Sequence, residues 1–375
     1  MLLNADQIMV RDAMREFAQR ELWPHAAQWD KTHHFPRQAH QGLAALGAYG
    51  ICVPEDLGGA GLDYLSLALV LEEIAAGDGG TSTVISVTNC PVNAILMRYG
   101  NAVQKKKWLV PLAQGQLLGA FCLTEPHVGS DASALRTTAT RQGDDYVIDG
   151  VKQFITSGKN GQVAIVIAVT DKGAGKKGMS AFIVPTDTPG YSVARLEDKL
   201  GQRSSDTAQI NFDQCRIPAD NLIGAEGEGY KIALSALEGG RIGIAAQSVG
   251  MARSALEVAL DYARQRESFG SPLINHQAVG FRLADCATEL EAARQLIWHA
   301  ASLRDADQPC LKEAAMAKLF ASEMAERVCS AALQTLGGYG YVSDFPLERI
   351  YRDVRVCQIY EGTSDIQKII IQRAL

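Results

Sequence analysis

The apolar positions of this chain change period twice. Through residues 1–117 they recur at helical spacing. Asn4 stands where it can cap a first helix, and Ile8, Val10, Met14 and Phe17 follow at near-helical intervals. Pro54, Gly58-Gly59 and Gly61 mark a loop. A helical pattern resumes from Leu65 to Ala76, and Gly77-Asp78-Gly79-Gly80 predicts its end. From about 118 to 224 the pattern is that of strands. Tyr146-Val147-Ile148 runs into Asp149-Gly150, a hairpin-type signal, and then into Phe154-Ile155-Thr156. Residues 163–169 are apolar and largely β-branched, as in a central strand, and 179–184, 191–196 and Ile210/Phe212 are further short strands. From about 225 onward the text is helical again, in long Ala-rich, weakly charged stretches over 242–264, 277–306 and 311–336. Such helices predict a bundle with faces available to partner subunits. The expected architecture is α+β and multidomain: an N-terminal helical domain (1–117), a middle β-barrel or sandwich domain (118–224) and a C-terminal helical bundle (225–375).

Composition narrows the function more than the fold. Apolar residues make up 47% of the 375 positions and charged residues 21%, as in ordinary globular enzymes. A net charge of −6 argues against nucleic acid, whose phosphates need a basic face. No apolar run approaches the roughly 18 residues of a membrane span. The start, MLLNADQIMVRDAMREF, carries acids early and lacks the features of a signal or transit peptide, so the expected location is cytoplasmic in a bacterium, or the mitochondrial matrix for a mature eukaryotic form. The eight cysteines form no CxxC pair and match no zinc spacing, so no metal is expected and buried free thiols are the better reading.

Three motifs are set aside. Gly173-Ala174-Gly175-Lys176-Lys177-Gly178 matches GxGxxG, but it leads into the strand-like 179–185 rather than a helix, so it reads as a glycine-rich hairpin. His25, His33, His34 and His40 lack metal-helix spacing and read as stray histidines of a solvated loop, while Lys105-Lys106-Lys107 reads as the wet face of a helix.

Four segments carry more. Phe121-Cys122-Leu123-Thr124-Glu125-Pro126 runs into Val128-Gly129-Ser130-Asp131, a strand end joined to a turn of small and hydroxyl residues that can approach a flat, polar ligand edge. Phe154-Ile155-Thr156 sets an aromatic beside a hydroxyl at another strand end. Gly337-Gly338 follows a long helix, where a C-cap and a close backbone approach to a ligand are both open. In Tyr360-Glu361-Gly362-Thr363 a carboxylate precedes a new helix that Thr363 can cap.

Taken together, VPEDLGGAGLDYLSLALVLEEIA (53–75), FCLTEPHVGSDAS (121–133), KQFITSG (152–158), ALEGGRIGIAAQSVGMA (236–252), RQRESFGSPLINHQ (264–277), LGGYGY (336–341), YRDVRV (351–356) and QIYEGTSDIQ (358–367) resemble the acyl-CoA dehydrogenase family, end to end and in order. The resemblance implies a C-terminal four-helix bundle, one FAD per subunit, a homotetramer built as a dimer of dimers, and electron-transfer flavoprotein as acceptor. It implies Glu361 as the base that removes the α-proton of an acyl-CoA while flavin N5 takes the β-hydride, giving the trans-2-enoyl-CoA. Phe121, Leu123, Thr124, Gly129 and Ser130 match flavin contacts, as do Phe154, Ile155 and Thr156. Arg266, Phe269 and Gln277 match contacts to a neighbouring subunit's FAD; Gln334, Gly337 and Gly338 match a stretch near the pyrophosphate; and Thr363 and Asp365 match further flavin contacts. Ser130, Glu238, Arg241, Tyr360 and Gly362 match the acyl-CoA site.

The chain departs from the family pattern in places. Glu238 stands where Asp is usual, and Asp365 where Glu or Gln is common. Some members carry the base one residue before the arginine of the 236–241 segment; here that residue is Gly240, which favours Glu361. Segments 86–100 and 238–247 look most like short-chain and short-branched-chain members, which implies fatty acid or branched-chain amino acid catabolism. Two alternatives stand beside this reading: a flavin oxidase or monooxygenase on the same fold, and a non-enzymatic assembly protein.

Overall fold

The computed structural model describes residues 2–375. Asn4 caps helix α1 (Ala5–Phe17) through a reciprocal box, its side chain accepting from Gln7 N at 2.8 Å while Gln7 Oε1 accepts from Asn4 N at 3.0 Å. Helix α2 (Tyr64–Gly77) is buried nearly all round and forms the centre of the N-terminal domain.

The Gly77–Gly80 run ends α2 as expected, with Asp78 in an extended conformation as its C-cap. The same run is a corner into helix α3 (Gly79–Val87), which Asp78 caps by accepting from Thr81 N at 2.8 Å and Thr81 Oγ1 at 2.7 Å. A side chain at Gly80 would collide with Ser204, so that glycine answers to packing on the middle domain. The histidines also divide. His25, His33 and His34 are exposed, but His40 is in the core, its Nδ1 2.7 Å from Tyr49 Oη, and burial pushes its pKa down to about 3.

The middle domain is one mixed eight-stranded sheet in the order β6-β7-β3-β2-β4-β5-β8, with β1 pairing β4. Its strands are β1 (Gly119–Cys122), β2 (Thr138–Gln142), β3 (Asp145–Thr156), β4 (Val163–Val169), β5 (Met179–Pro185), β6 (Tyr191–Leu196), β7 (Thr207–Pro218) and β8 (Leu222–Ile223). Strand β4 reads as an unbroken apolar run because both its faces are covered. Val163, Ile165 and Ile167 pack with Leu96, Leu109 and Ile232 of the flanking helices; Ala164, Val166 and Ala168 pack with Tyr146, Phe182 and Ile210 of the sheet. The GxGxxG segment is indeed a connection between antiparallel β4 and β5. Asp149-Gly150, in contrast, is no hairpin. It is a bulge inside β3, where Gly150, at φ 146°, lies against Thr137.

The C-terminal domain is built on helices α4 (Gly229–Gln265), α5 (Gln277–Asp305) and α6 (Leu311–Leu336), followed by α7 (Leu347–Val354) and α8 (Ser364–Arg373); the hairpin β9 (Glu267–Ser268)–β10 (Ser271–Pro272) joins α4 to α5. Much of α4 is interior to the subunit rather than partner-facing. Its Gly250 lets the backbone close onto Glu72 of α2, and one continuous core runs from Met14 of α1 to Cys357. Buried acids of α2 tie the helices together: Glu73 accepts from Arg15 at 2.7 Å and Arg253 at 2.6 Å, and Glu72 from Arg294 at 2.8 Å. Among the described residues, no helix is long and apolar enough to cross a membrane, and no cluster of side chains suits a metal ion.

Candidate active site

Glu361 lies on the short loop between the turn 355–358 and α8. Its backbone is left-handed, at φ 54°, an uncommon state for a side chain this long, and Gly362 follows at φ 88°. The turn is held from outside. Gln367 Nε2 donates to Gly362 O at 2.8 Å and to Glu361 O at 3.3 Å, Lys318 Nζ donates to Gly362 O at 2.8 Å, and Thr363 caps α8. The carboxylate rests on α4: a Cβ placed on Gly240 would stand 2.7 Å from Glu361 Oε2. Positions 240 and 361 therefore converge on one point in space, the physical content of the expectation that Gly240 favours Glu361 as the acid.

That carboxylate is half-buried and short of partners. Glu361 Oε2 is buried with no hydrogen-bond partner, and burial pushes the carboxyl up to about 7 against the pull of Arg241 and Lys318. Arg241, 5% exposed, has its Nε and Nη1 buried and unpartnered, and desolvation lowers its pKa against the charges of Glu361 and Glu238. An acid, a guanidinium and a glycine gap thus meet, with polar atoms left for a ligand. Tyr360 anchors the loop where the three domains join. Its hydroxyl donates to Gln247 Oε1 at 3.0 Å and accepts from Gln202 Nε2 at 3.3 Å, and Gln202 Oε1 accepts from Thr83 at 2.6 Å.

Within about one helical turn of Gly240 along α4, the space is filled. A Cβ on Gly243 would stand 2.9 Å from Ser86 Oγ, 3.2 Å from Cys90 Sγ and 3.2 Å from Leu71 Cδ1; one on Gly239 would stand 2.8 Å from Tyr64 Oη. Glu238 pairs with Arg304 at 3.1 Å, and Arg304 stacks on the Tyr64 ring at 4.2 Å.

The strand-end turn of the middle domain is a rigid shelf. Glu125 is buried yet fully engaged: it accepts from Arg136 N at 2.8 Å, Thr137 N at 3.0 Å and Lys152 Nζ at 2.9 Å. Burial pulls its pKa up, but Lys152 and the backbone donors outweigh burial and hold it below the usual carboxylate range. Lys152, 0% exposed, also donates to Leu123 O at 2.9 Å, and Gln153 N donates to Thr124 O at 2.8 Å. These bonds bring 121–125 against 152–156. A second irregularity of β3, between Lys152 and Ile155, puts Phe154 at φ 58° and turns its ring outward, 63% exposed.

Leu123, Thr124 and Thr156 are half-buried beside this shelf, Phe121 is half-buried, and Ile155 is buried beneath it. Gly129 and Ser130 are exposed, with nothing within 4 Å of a Cβ built on Gly129. A flat surface edged by hydroxyls and open backbone fits a flavin ring and its polar rim. Glu125 and Lys152 escaped the sequence reading as shelf-builders; the available signal was a lysine inside an otherwise mostly apolar strand. Lys318 gave no signal at all.

Other positions singled out in the sequence stand apart from this centre. Arg266, Phe269 and Gln277 are exposed on hairpin β9–β10 and the start of α5, Phe269 at 99%. Gln334 lines an open cleft of about 660 Å³ with Arg282, Arg327 and Gln358. Gly337 and Gly338 are exposed at the end of α6 with open space around them, and Asp365 is exposed in the first turn of α8.

The three-domain fold thus carries an exposed aromatic shelf in its middle domain and a carboxylate short of partners in its C-terminal domain. Residues 4–116, 120–215 and 227–375 match, in order, the N-terminal, middle and C-terminal domains described for acyl-CoA dehydrogenase. The chain belongs to the acyl-CoA dehydrogenase family, whose members depend on FAD. It is 48% identical over 363 residues to the short-chain specific acyl-CoA dehydrogenase of Homo sapiens mitochondria, covering 97% of this chain and 88% of that protein. It superposes on butyryl-CoA dehydrogenase from Megasphaera elsdenii with a TM-score of 0.98 at 40% identity, covering 100% and 99% of the two chains. A chain of the structure described as electron transferring flavoprotein of Acidaminococcus fermentans superposes with a TM-score of 0.99 at 45% identity, covering 100% and 98%.

Proposed function

We propose that this enzyme oxidises a short acyl-CoA between Cα and Cβ, with Glu361 as the base. The observation that carries the reading is the buried, unpartnered Oε2 of Glu361, held against Gly240 at a pKa of about 7. A thioester α-proton is only weakly acidic, so its base must be basic yet still ionised near neutrality; a carboxyl raised to about 7 meets both needs. FAD, when bound, would supply the hydride acceptor. The residues of this chain do the rest. The shelf of Leu123, Thr124, Phe154 and Thr156 orients the ring, and the Glu361 N–H is free to donate to the thioester carbonyl, stabilising the charge that builds there. Ser130, Glu238, Arg241, Tyr360 and Gly362 bound the acyl-CoA path, and the unpartnered nitrogens of Arg241 find acceptors on the ligand.

The short acyl chain follows from Ser86, Cys90, Leu71 and Tyr64, which close the space beside α4 within about one helical turn, roughly 5.4 Å, of the base. That limit favours a butyryl or a short branched group, and either substrate would place the enzyme in fatty acid or branched-chain amino acid breakdown. In a panel of C4 to C8 straight and branched acyl-CoAs, anaerobic flavin bleaching should fall about tenfold or more from C4 to C8; equal rates across the panel would remove the depth argument.

The exposed Phe269, with Arg266 and Gln277, supports a homotetramer, a dimer of dimers in which these residues meet a neighbour's FAD. Gln334, Gly337 and Gly338 border the pyrophosphate, and Thr363 and Asp365 add flavin contacts. Electron-transfer flavoprotein is the electron acceptor, in the cytoplasm of a bacterium or the matrix of a mitochondrion. The deciding experiment is Glu361→Gln in FAD-loaded enzyme mixed with butyryl-CoA. Ligand binding without bleaching is expected; near-normal bleaching would show that the base lies elsewhere.

A further inference from the structure

Lys318 is the least expected charge in the molecule. It sits in the middle of α6 with no exposed surface, and no carboxylate among the described residues comes within 4.0 Å of its Nζ. Lysine is almost never fully buried without a paired acid, because a desolvated ammonium is costly. The one hydrogen bond its Nζ makes here is the 2.8 Å donation to Gly362 O. A neutral amide already serves that carbonyl, since Gln367 donates to it at 2.8 Å as well. Satisfying one carbonyl therefore does not account for a buried cation.

What the cation adds is charge beside the base. The titratable and charged groups that face Lys318 are Cys357 from the 355–358 turn, Glu361 from the loop, Arg241 from α4 and Glu323 from its own helix; α8 offers only the amide of Gln367. Burial lowers its pKa to about 8, so it is cationic through neutrality. Glu361, one residue before the carbonyl it holds, has a left-handed backbone and no hydrogen-bond partner for Oε2.

We propose that Lys318 is a positioning residue for the base: its ammonium pins the Glu361–Gly362 turn through the Gly362 carbonyl, and its charge favours the ionised, proton-accepting form of Glu361. The inference rests on Glu361 being the base. It extends that reading to a residue that touches neither substrate nor flavin.

The test uses FAD-loaded Lys318→Met, which keeps the aliphatic stem and removes charge and donor, and Lys318→Gln, which keeps a donor without charge. Anaerobic bleaching by butyryl-CoA is followed in stopped flow at a series of pH values, with FAD content and thermal melting as controls on folding. The Met variant should lose about 10²-fold in limiting rate, the scale of a small misplacement of a reacting group. In both variants the acid limb of the rate should move to higher pH, because losing a nearby cation raises the carboxyl pKa. The half-saturating butyryl-CoA concentration should change little.

Rates and limb like those of the unaltered enzyme would overturn the proposal. So would a lower rate with an unmoved limb, which is what general loosening gives. Failure of both variants to fold or take up FAD would overturn it too, since Lys318 would then serve the fold. Glu361→Gln run alongside separates the two readings. If that variant still bleaches, the base assignment itself fails; if it is inert while the Lys318 variants are normal, only this inference fails.

Discussion

Glu125 in the middle domain and Glu361 in the C-terminal domain are both carboxylates sheltered from water beside a lysine with no exposed surface, yet they have opposite characters. Glu125 accepts from two backbone N–H groups and from Lys152, and its pKa is held below the ordinary range. Glu361 has an Oε2 with no partner, its lysine reaches the neighbouring carbonyl rather than the carboxylate, and its pKa rises to about 7. Burial alone assigns no role. A buried acid whose lone pairs are all engaged is a structural tie; one left short of donors is poised to take a proton. The middle domain uses the first to stiffen a shelf, and the C-terminal domain holds the second, the proposed base.

The contrast is sharpest in neutralising substitutions. Glu361→Gln should lower the rate of flavin reduction by about 10⁴-fold or more while leaving the unfolding midpoint equal or higher. Glu125→Gln should do the reverse. It strands the Lys152 cation in the interior, at a cost of about 3–5 kcal/mol in chemical denaturation, and a stability unchanged by that substitution would break the comparison. Gly240→Ala comes next. The added methyl meets a mobile carboxylate rather than backbone, so the fold should tolerate it, but the displaced base should lose about 10²-fold in limiting rate.

The smallest expected effect is that of pH. Because the reactive form is the carboxylate, the rate should fall about tenfold per unit below an apparent pKa near 7. The stability terms run in opposite directions. Glu361 is raised from 4.5 to about 7 on folding, so its contribution is fullest below 4.5 and is lost as pH rises through about 7. Glu125 is lowered, so its contribution is present above the ordinary carboxylate range and is lost as pH falls below it. Urea denaturation from about pH 4.5 to pH 7.5 should show a decline that Glu361→Gln flattens; a Gln variant that declines as steeply would refute the assigned pKa shift.

Much of this arrangement was legible in the sequence, because local patterns carry it. The switch from period 3.6 to period 2 and back marked the helical, strand and helical blocks. The unbroken apolar run of β4 announced a strand covered on both faces, Asn4 announced a cap, and the order of motifs around Glu361 pointed to the family. Tertiary structure decided what depends on partners far along the chain. Gly79-Gly80 opens a second helix where the corner presses on Ser204 of the middle domain, and Asp149-Gly150 bulges rather than turns because β3 must pass Thr137 and keep pairing with β7. His40 is core because Tyr49 is there to meet it.

Above all, the sequence shows that a glutamate stands at 361 but not that its Oε2 is buried without a partner, nor that lysines 152 and 318 are interior. Hydrophobic periodicity is a property of neighbours along the chain and can be read from it. Desolvation is set by atoms that distant segments such as α4 and α6 bring together, and it is desolvation that raises the pKa of an ordinary acid.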